Sequence, residues 1–247
     1  MKIGVSSLSV QKENVLANLE FFESLDIDYF ELMTDYPFNV IDIKGLKSYN
    51  LKYTVHSPFV DLNPASLNKN VQKVSIAEIK KSIDLARELD SEIVVIHPGR
   101  VPFLHKPFEK EILAKSRESI KICDDYGEDL GVTIAIENMP NIEGFIYQDI
   151  YELNKLLEEL EMNMTLDVAH AATTGFKESE FYFDSVGHIH LSDNNRDFDD
   201  HLALGEGLID FKTIVNNFNK NNYNGIYTIE VNNKESVVKS IEYLKKL

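Results

Sequence analysis

Short apolar runs alternate with longer stretches in which apolar positions recur every three or four residues, along all 247 residues of the chain. The first kind predicts strands. Runs such as IVVI and TIAI are continuously apolar and largely β-branched, as parallel strands covered on both faces must be. The second kind predicts amphipathic helices. Strands are expected at Ile3–Ser7, Tyr29–Met33, Lys52–His56, Glu92–His97, Val132–Glu137, Asn163–Asp167, Val186–Leu191 and Ile226–Val231. Helical patterns fall at Lys12–Leu25, Ile41–Ser48, Asn70–Leu89, Phe108–Tyr126, Gln148–Leu160, Lys177–Phe183, Phe211–Asn222 and Lys234–Leu247, with Asp210 placed to cap the seventh. Eight β-α repeats in this length predict an α/β fold, a single (β/α)8 barrel over residues 1–247. The alternative is an open doubly wound sheet. It lacks the glycine-rich phosphate loop that would follow its first strand, where SSLSV stands. No linker or low-complexity segment divides the chain.

The strand ends carry the chemistry. His56 closes KYTVH, His97 closes EIVVIH, Glu137 closes VTIAIE, and Asp167 closes MNMTLD with His170 three residues on. His190 lies near the end of VGHIHL and Glu230 near the end of IYTIEV, while Asp199 and His201 sit in the following DFDDHLALGEG loop. In a barrel of parallel strands these ends converge on one face. A single histidine after a strand is ordinarily a loop or satisfied core residue, and either glutamate alone could pair with a nearby Lys or Arg. Independent accidents would not all select the same end of successive strands, so the joint pattern predicts a metal site. Mixed imidazole and carboxylate donors suit Zn²⁺, Mn²⁺, Fe²⁺ or Co²⁺ better than Mg²⁺ or Ca²⁺. Asp167-x-x-His170 reads as a tight local chelate, and His105 and His188 fall outside the set. Pro58, Pro98 and Pro140 follow closely after strands and fix their exits. The glycines of LGEG are placed to shape the turn presenting His201, and Asn138 could orient a carboxylate or simply serve a turn.

Composition narrows the partners. Twenty-five basic against 41 acidic residues leave a formal charge of −16, which disfavours nucleic acid and anionic membranes. HPGR and Arg196 offer the obvious cations near the expected face, to which Lys69 and Lys73 could add. No apolar stretch approaches the ~20 residues of a membrane-spanning helix. The single cysteine, Cys123, excludes a disulfide framework and agrees with a reducing cytoplasm; its setting is that of a small buried hydrophobe.

The segments VHSPFVDLNPAS, VVIHPGR, AIENMP, LDVAHA, HIHLSDN and DDHLALGEGLIDF together resemble the xylose-isomerase-like TIM-barrel superfamily. That superfamily includes sugar-phosphate isomerases and epimerases and the endonuclease IV type of AP endonuclease (family 2). The resemblance implies a divalent-metal enzyme, with one to three ions of Mn²⁺, Zn²⁺ or Co²⁺. In the isomerase pattern one ion is held by residues matching Glu137, Asp167, His190 and Glu230. Glu137 and Glu230 also exchange protons with a sugar or sugar phosphate, and a residue matching Arg196 binds substrate oxygens, an exposed loop arginine being the alternative there. Glu31, ending the second strand, reads either as a contact to sugar hydroxyls or as half of a structural ion pair. In the endonuclease pattern three zinc ions use His56, His97, Glu137, Asp167, His170, His190, Asp199, His201 and Glu230. A third alternative is a barrel that keeps its metal and binds a small ligand without catalysis. The short ELMTDYPF segment differs from the longer basic DNA-inserting loop expected of the endonucleases. Similar isomerases are commonly dimeric or tetrameric, and a homodimer is compatible with this chain.

Overall fold

Buried apolar runs become strands wherever the sequence pattern changes period. A computed structural model describes residues 1–10, 14–39 and 41–247. Its strands are β1 (Lys2–Ser6), β2 (Tyr29–Met33), β3 (Lys52–His56), β4 (Ile93–Ile96), β5 (Thr133–Glu137), β6 (Asn163–Asp167), β7 (Val186–Leu191) and β8 (Ile226–Ile229). They pair in parallel in sequence order, and β8 returns to β1, so the sheet is the closed eight-stranded barrel expected. Val94, Val95, Ile134 and Ile136 are almost fully buried, which accounts for the absence of polar alternation in those runs.

The helices are α1 (Leu19–Glu23), α2 (Ile43–Leu46), α3 (Lys69–Glu88), α4 (Glu109–Leu130), α5 (Ile150–Leu160), α6 (Val168–Thr173), α7 (Phe211–Lys220) and α8 (Lys234–Leu244). On α3 the buried residues Gln72, Ser75, Ile79, Ser82, Ile83 and Ala86 keep the spacing of one helical face. Asn68 caps α3 through the Asn70 N–H, and Asp210 caps α7 through the Thr213 N–H, as the sequence predicts for Asp210. Cys123 is buried in α4, and burial pushes its thiol up to about 12, the behaviour of an inert core residue.

Three elements differ from expectation. The segment predicted as a helix over Lys12–Leu25 forms a 3-10 turn at Leu16–Asn18 and the brief α1; Lys12 and Glu13 lie outside the described residues. Helix α4 runs beyond Tyr126 to Leu130, where Gly131, at φ 70°, adopts the left-handed cap that ends it. After β6 the helix begins at Val168 instead of Lys177, and the expected helix at Lys177–Phe183 is only a 3-10 turn at Glu178–Glu180. The cause is Asp167: its Oδ1 accepts the His170 N–H at 2.7 Å and starts α6 at the strand end.

Candidate metal centre

The carboxyl ends of six neighbouring strands, β3 to β8, and two following segments bring all nine expected donors to one face. Glu137, Asp167, His190 and Glu230 place one ligand atom each within 4.8 Å of one another, and all four are buried. His190 Nδ1 lies 3.1 Å from both Glu137 Oε1 and Glu230 Oε2. His56, His97 and Glu137 form a second set of the same tightness: Glu137 Oε2 is 3.2 Å from His56 Nε2 and 2.9 Å from His97 Nε2. Near the mouth, Asp199 Oδ2 lies 3.2 Å from His170 Nε2 and 3.1 Å from His201 Nε2.

Backbone carbonyls orient three of the histidines. His56 Nδ1–H donates to Ser57 O at 3.0 Å, His170 Nδ1–H to Asn138 O at 2.8 Å, and His201 Nδ1–H to Glu230 O at 2.9 Å. Each contact fixes the tautomer in which Nε2 faces the carboxylates, the arrangement expected around metal-ligating histidines. Asn138 forms a two-way bridge with Asp167: its Oδ1 accepts from the Asp167 N–H at 2.8 Å and its Nδ2 donates to Asp167 O at 3.0 Å. Asn138 thus fixes the backbone that carries Asp167, rather than touching its carboxylate. Asp167 and His170 keep the proximity that their spacing predicts. Asp167 Oδ2 and His170 Nε2 stand 3.9 Å apart, one in the four-residue group and the other against Asp199.

The electrostatics describe a site short of positive charge. Burial alone would depress His56, but the hydrogen bond and charge of Glu137 outweigh it and hold the ring at about 9. His201 likewise reaches about 9, with Asp199 overcoming burial, and His170 and His190 rise well above the ordinary imidazole value against the same opposition. Burial pushes Asp167 up to about 7 despite His170, helped by the like charges of Glu137, Asp199 and Glu230. For Glu137 burial opposes ionisation, yet the neighbouring histidines hold the carboxyl well below its usual range. Protonated imidazoles thus fill the role a cation would take. Asp167 Oδ2 and Asp199 Oδ1 are buried carboxylate oxygens with no hydrogen-bond partner. Such atoms are costly inside a protein unless a cation meets them, so the donor set fits a divalent ion.

Beneath this face the barrel interior holds a polar layer that the sequence reading missed in part. Glu31 Oε2 lies 2.9 Å from His188 Nε2 and accepts from Thr54 Oγ1 at 3.0 Å; Thr228 Oγ1 is 3.2 Å from the same His188 nitrogen. Glu31 Oε1 approaches His190 Nε2 to 3.0 Å outside hydrogen-bonding alignment, so charge is the main link there. Glu31 is therefore a fully buried neighbour of His188 and His190, and of its two readings the structural ion pair is the one this geometry matches. His188 was identifiable in principle: at two residues before His190 in β7 it must share that residue's face of the strand.

For Arg196 the geometry matches the loop-arginine reading. Its guanidinium pairs with Glu178 and donates to Phe176 O, and the residue does not line the cavity over the donors. That cavity, about 210 Å³, is bounded by His56, Phe59, His97, Glu137, His170 and Glu230 among others. It is smaller than the roughly 300–1,000 Å³ typical of drug-sized ligands, a fit for one small molecule.

The loop carrying Asp199 and His201 is held by Asp193, a buried residue not singled out in the sequence. Asp193 accepts four backbone N–H groups, from Asn194, Gly205, Gly207 and Ile209, at 2.9–3.1 Å. Its backbone also bridges Leu202 in both directions. The expectation for LGEG holds at Gly207, where a Cβ would lie 2.4 Å from Asn194 O. Asp193→Ala is expected to cost at least about 3 kcal/mol in urea unfolding, because several buried donors lose a charged acceptor. An unchanged unfolding midpoint would contradict this role.

A model of the xylose isomerase-like TIM barrel family matches residues 19–247. An uncharacterised protein of Methanocaldococcus jannaschii is 36% identical over 260 residues, covering 99% of this chain and 88% of its own. A crystal structure titled as a D-tagatose 3-epimerase-like protein superposes with a TM-score of 0.92 at 34% identity, covering 100% of this chain and 96% of that one. Weaker similarity reaches fructoselysine 3-epimerase of Shigella flexneri, 22% identical over 76% of this chain and 71% of that protein. It also reaches probable endonuclease 4 of Mycoplasma mycoides, 25% identical over 75% of this chain and 66% of that protein. With a closed barrel and a family model matching nearly its whole length, this chain belongs to the xylose isomerase-like TIM barrel family.

Proposed function

We infer that this chain is a divalent-metal-dependent isomerase or epimerase acting on a sugar or sugar derivative. The observation that carries the reading is the placement of Glu137 and Glu230. Both line the same small cavity, and both approach one nitrogen, His190 Nδ1, at 3.1 Å. Two carboxylates in that relation can take a proton from a carbon on one side and return it on the other. Glu137, Asp167, His190 and Glu230 would hold the ion, which when bound polarises substrate oxygens and acidifies the adjacent C–H.

The chain's own residues supply the rest. His190, buried between the two glutamates, keeps their charges from repelling each other apart. His170 and His201, their Nε2 atoms against Asp199, stand at the mouth within reach of substrate hydroxyls. Phe59, Met139, Pro140 and Phe145 give the cavity apolar walls that exclude bulk water from the proton-transfer step. The similarity to proteins named as 3-epimerases supports the same reading.

A specific observation favours a second reading, a phosphodiesterase of the endonuclease 4 type. His56, His97, His170, Asp199 and His201 are donors beyond the four that sugar chemistry needs, and three of the histidines are held by backbone carbonyls. The scarcity of cations near the face weighs against a nucleic-acid substrate: of the two obvious ones, Arg196 is taken by Glu178, which leaves Arg100.

Chelation followed by add-back separates the two. Chain stripped of metal should exchange no substrate C–H with D₂O across a panel of ketoses and their derivatives. Adding Mn²⁺ or Co²⁺ should restore exchange, read by NMR. Cleavage of an abasic duplex that is lost in His56→Ala and His201→Ala, without C–H exchange, would replace this reading with the second.

A further inference from the structure

In HPGR, the turn after β4, His97 belongs to the donor cluster, but Gly99 and Arg100 are not used by the chemistry above. These two line a second cavity of about 180 Å³, with Pro58, Phe59, Leu62, Ile79 and Phe145. This cavity and the one over the donors share His97, Phe59 and Phe145, and the Phe59 ring stacks on His97 at 4.1 Å between centroids. The two spaces are therefore neighbours across one ring pair.

Its walls are fixed from both sides. Asp35 accepts the N–H groups of Phe59 and Val60 at 3.0 and 3.2 Å. On the opposite side Asn63 clamps the arginine's backbone, with Oδ1 accepting the Arg100 N–H at 3.0 Å and Nδ2 donating to Arg100 O at 2.9 Å. Gly99, at φ 106°, allows this approach: a Cβ there would lie 2.7 Å from Asn63 Oδ1 and from Ala65 Cβ.

Arg100 itself is exposed, and among the described residues its guanidinium has one hydrogen-bond partner, Val60 O at 3.5 Å. It forms no ion pair among the described residues, although acids outnumber bases 41 to 25 in the chain. Lys106 and Arg196, by contrast, each have a carboxylate partner.

We propose that the cavity between Phe59 and Arg100 is a subsite for an arm of the substrate, an apolar substituent on the sugar that ends in a phosphate or carboxylate. The proposal rests on the isomerase reading for the location of the reacting carbons. An apolar lining offers few partners to hydroxyls, so a bare sugar would leave it poorly filled. A cavity of about 150 Å³ already accommodates a benzene ring, and this one is slightly larger. Arg100 then meets the terminal acid group with a fork of donors suited to either oxyanion.

The test titrates phenyl phosphate, benzoate, benzyl alcohol and inorganic phosphate into the full chain by calorimetry, once with chelator and once with Zn²⁺. With chelator present, no metal centre competes for the anions. At least one aryl acid should bind, and its affinity should fall tenfold or more in Arg100→Gln and partly recover in Arg100→Lys. Benzyl alcohol should be insensitive to both substitutions. Ile79→Phe, which fills the cavity, should weaken all aryl probes. Tighter binding of phenyl phosphate assigns a phosphorylated arm, and tighter binding of benzoate a carboxylated one. The proposal fails if neither aryl acid binds, if Arg100→Gln binds them unchanged, or if inorganic phosphate binds as tightly as phenyl phosphate. Probe binding does not require turnover. A chain that binds these probes but exchanges no sugar proton overturns the isomerase reading, whereas an active chain that binds none overturns the subsite alone.

Discussion

Glu230→Gln should reduce substrate C–H exchange by about 10²–10⁴-fold in kcat, the range associated with a positioned general acid or base. Glutamine keeps the shape and an oxygen that can face His190, but it cannot accept the carbon's proton. Glu230 is buried and adjoins His190 Nδ1 at 3.1 Å, so the neutral side chain should be accommodated without unfolding. The loss should therefore appear in kcat, with the thermal midpoint near that of the unaltered chain. Glu137→Gln should act similarly but weaken metal retention further, because Glu137 faces His56, His97 and His190 together. Retention of full exchange by Glu230→Gln would remove the glutamate pair from the mechanism.

Divalent-ion affinity should rise steeply with pH, and the metal-free chain should become less stable over the same interval. His190 is held well above the ordinary imidazole value and His56 and His201 at about 9, so near neutrality each retains a proton that a metal must displace. Each displaced proton is worth about tenfold in affinity per pH unit. Between pH 6.5 and about 9, an ion displacing one such proton should bind more than about a hundredfold more tightly.

Stability changes in the opposite sense. A histidine with a raised folded-state value stabilises the fold fully below its unfolded value of about 6.5, and that contribution disappears as pH rises through about 9. Asp167 adds the same sign earlier: its folded value of about 7 exceeds the ordinary carboxyl value, so the folded state retains a proton the unfolded chain has already lost. Calorimetry of chelated protein from about pH 6.5 to 9, beside a competitive chelator titration, checks both trends. An ion affinity independent of pH, or a metal-free chain that gains stability over that interval, would contradict the protonated-histidine description.

Much of this was legible because the relevant signals are local. Every strand was readable from short apolar runs, and the donors were readable because the barrel turns strand ends into one surface. Where the sequence reading missed, a local signal had competed with a longer-range one. Asp167 reads as a ligand at a strand end, and its Oδ1 also caps α6, which starts the helix nine residues earlier than the pattern predicts. Arg196 has the spacing of a substrate contact, yet Glu178, 18 residues earlier, takes its guanidinium. His188 was passed over because β7 is buried on both faces, which hides the two-residue period that would have paired it with His190. Asp193 gave no recognisable signal, since its role depends on four N–H groups gathered by a folded loop.

The sequence by itself determined the alternation of strand and helix, the eight repeats and which candidate donors stand at the strand ends. Periodicity and side-chain type record those properties residue by residue. Only the tertiary structure decided which donors meet. His190 finds Glu137 across 53 residues and Glu31 reaches His188 across 157, and such contacts follow from the register of a closed sheet. The burial that makes those contacts electrostatically strong is likewise created only when the barrel closes around them.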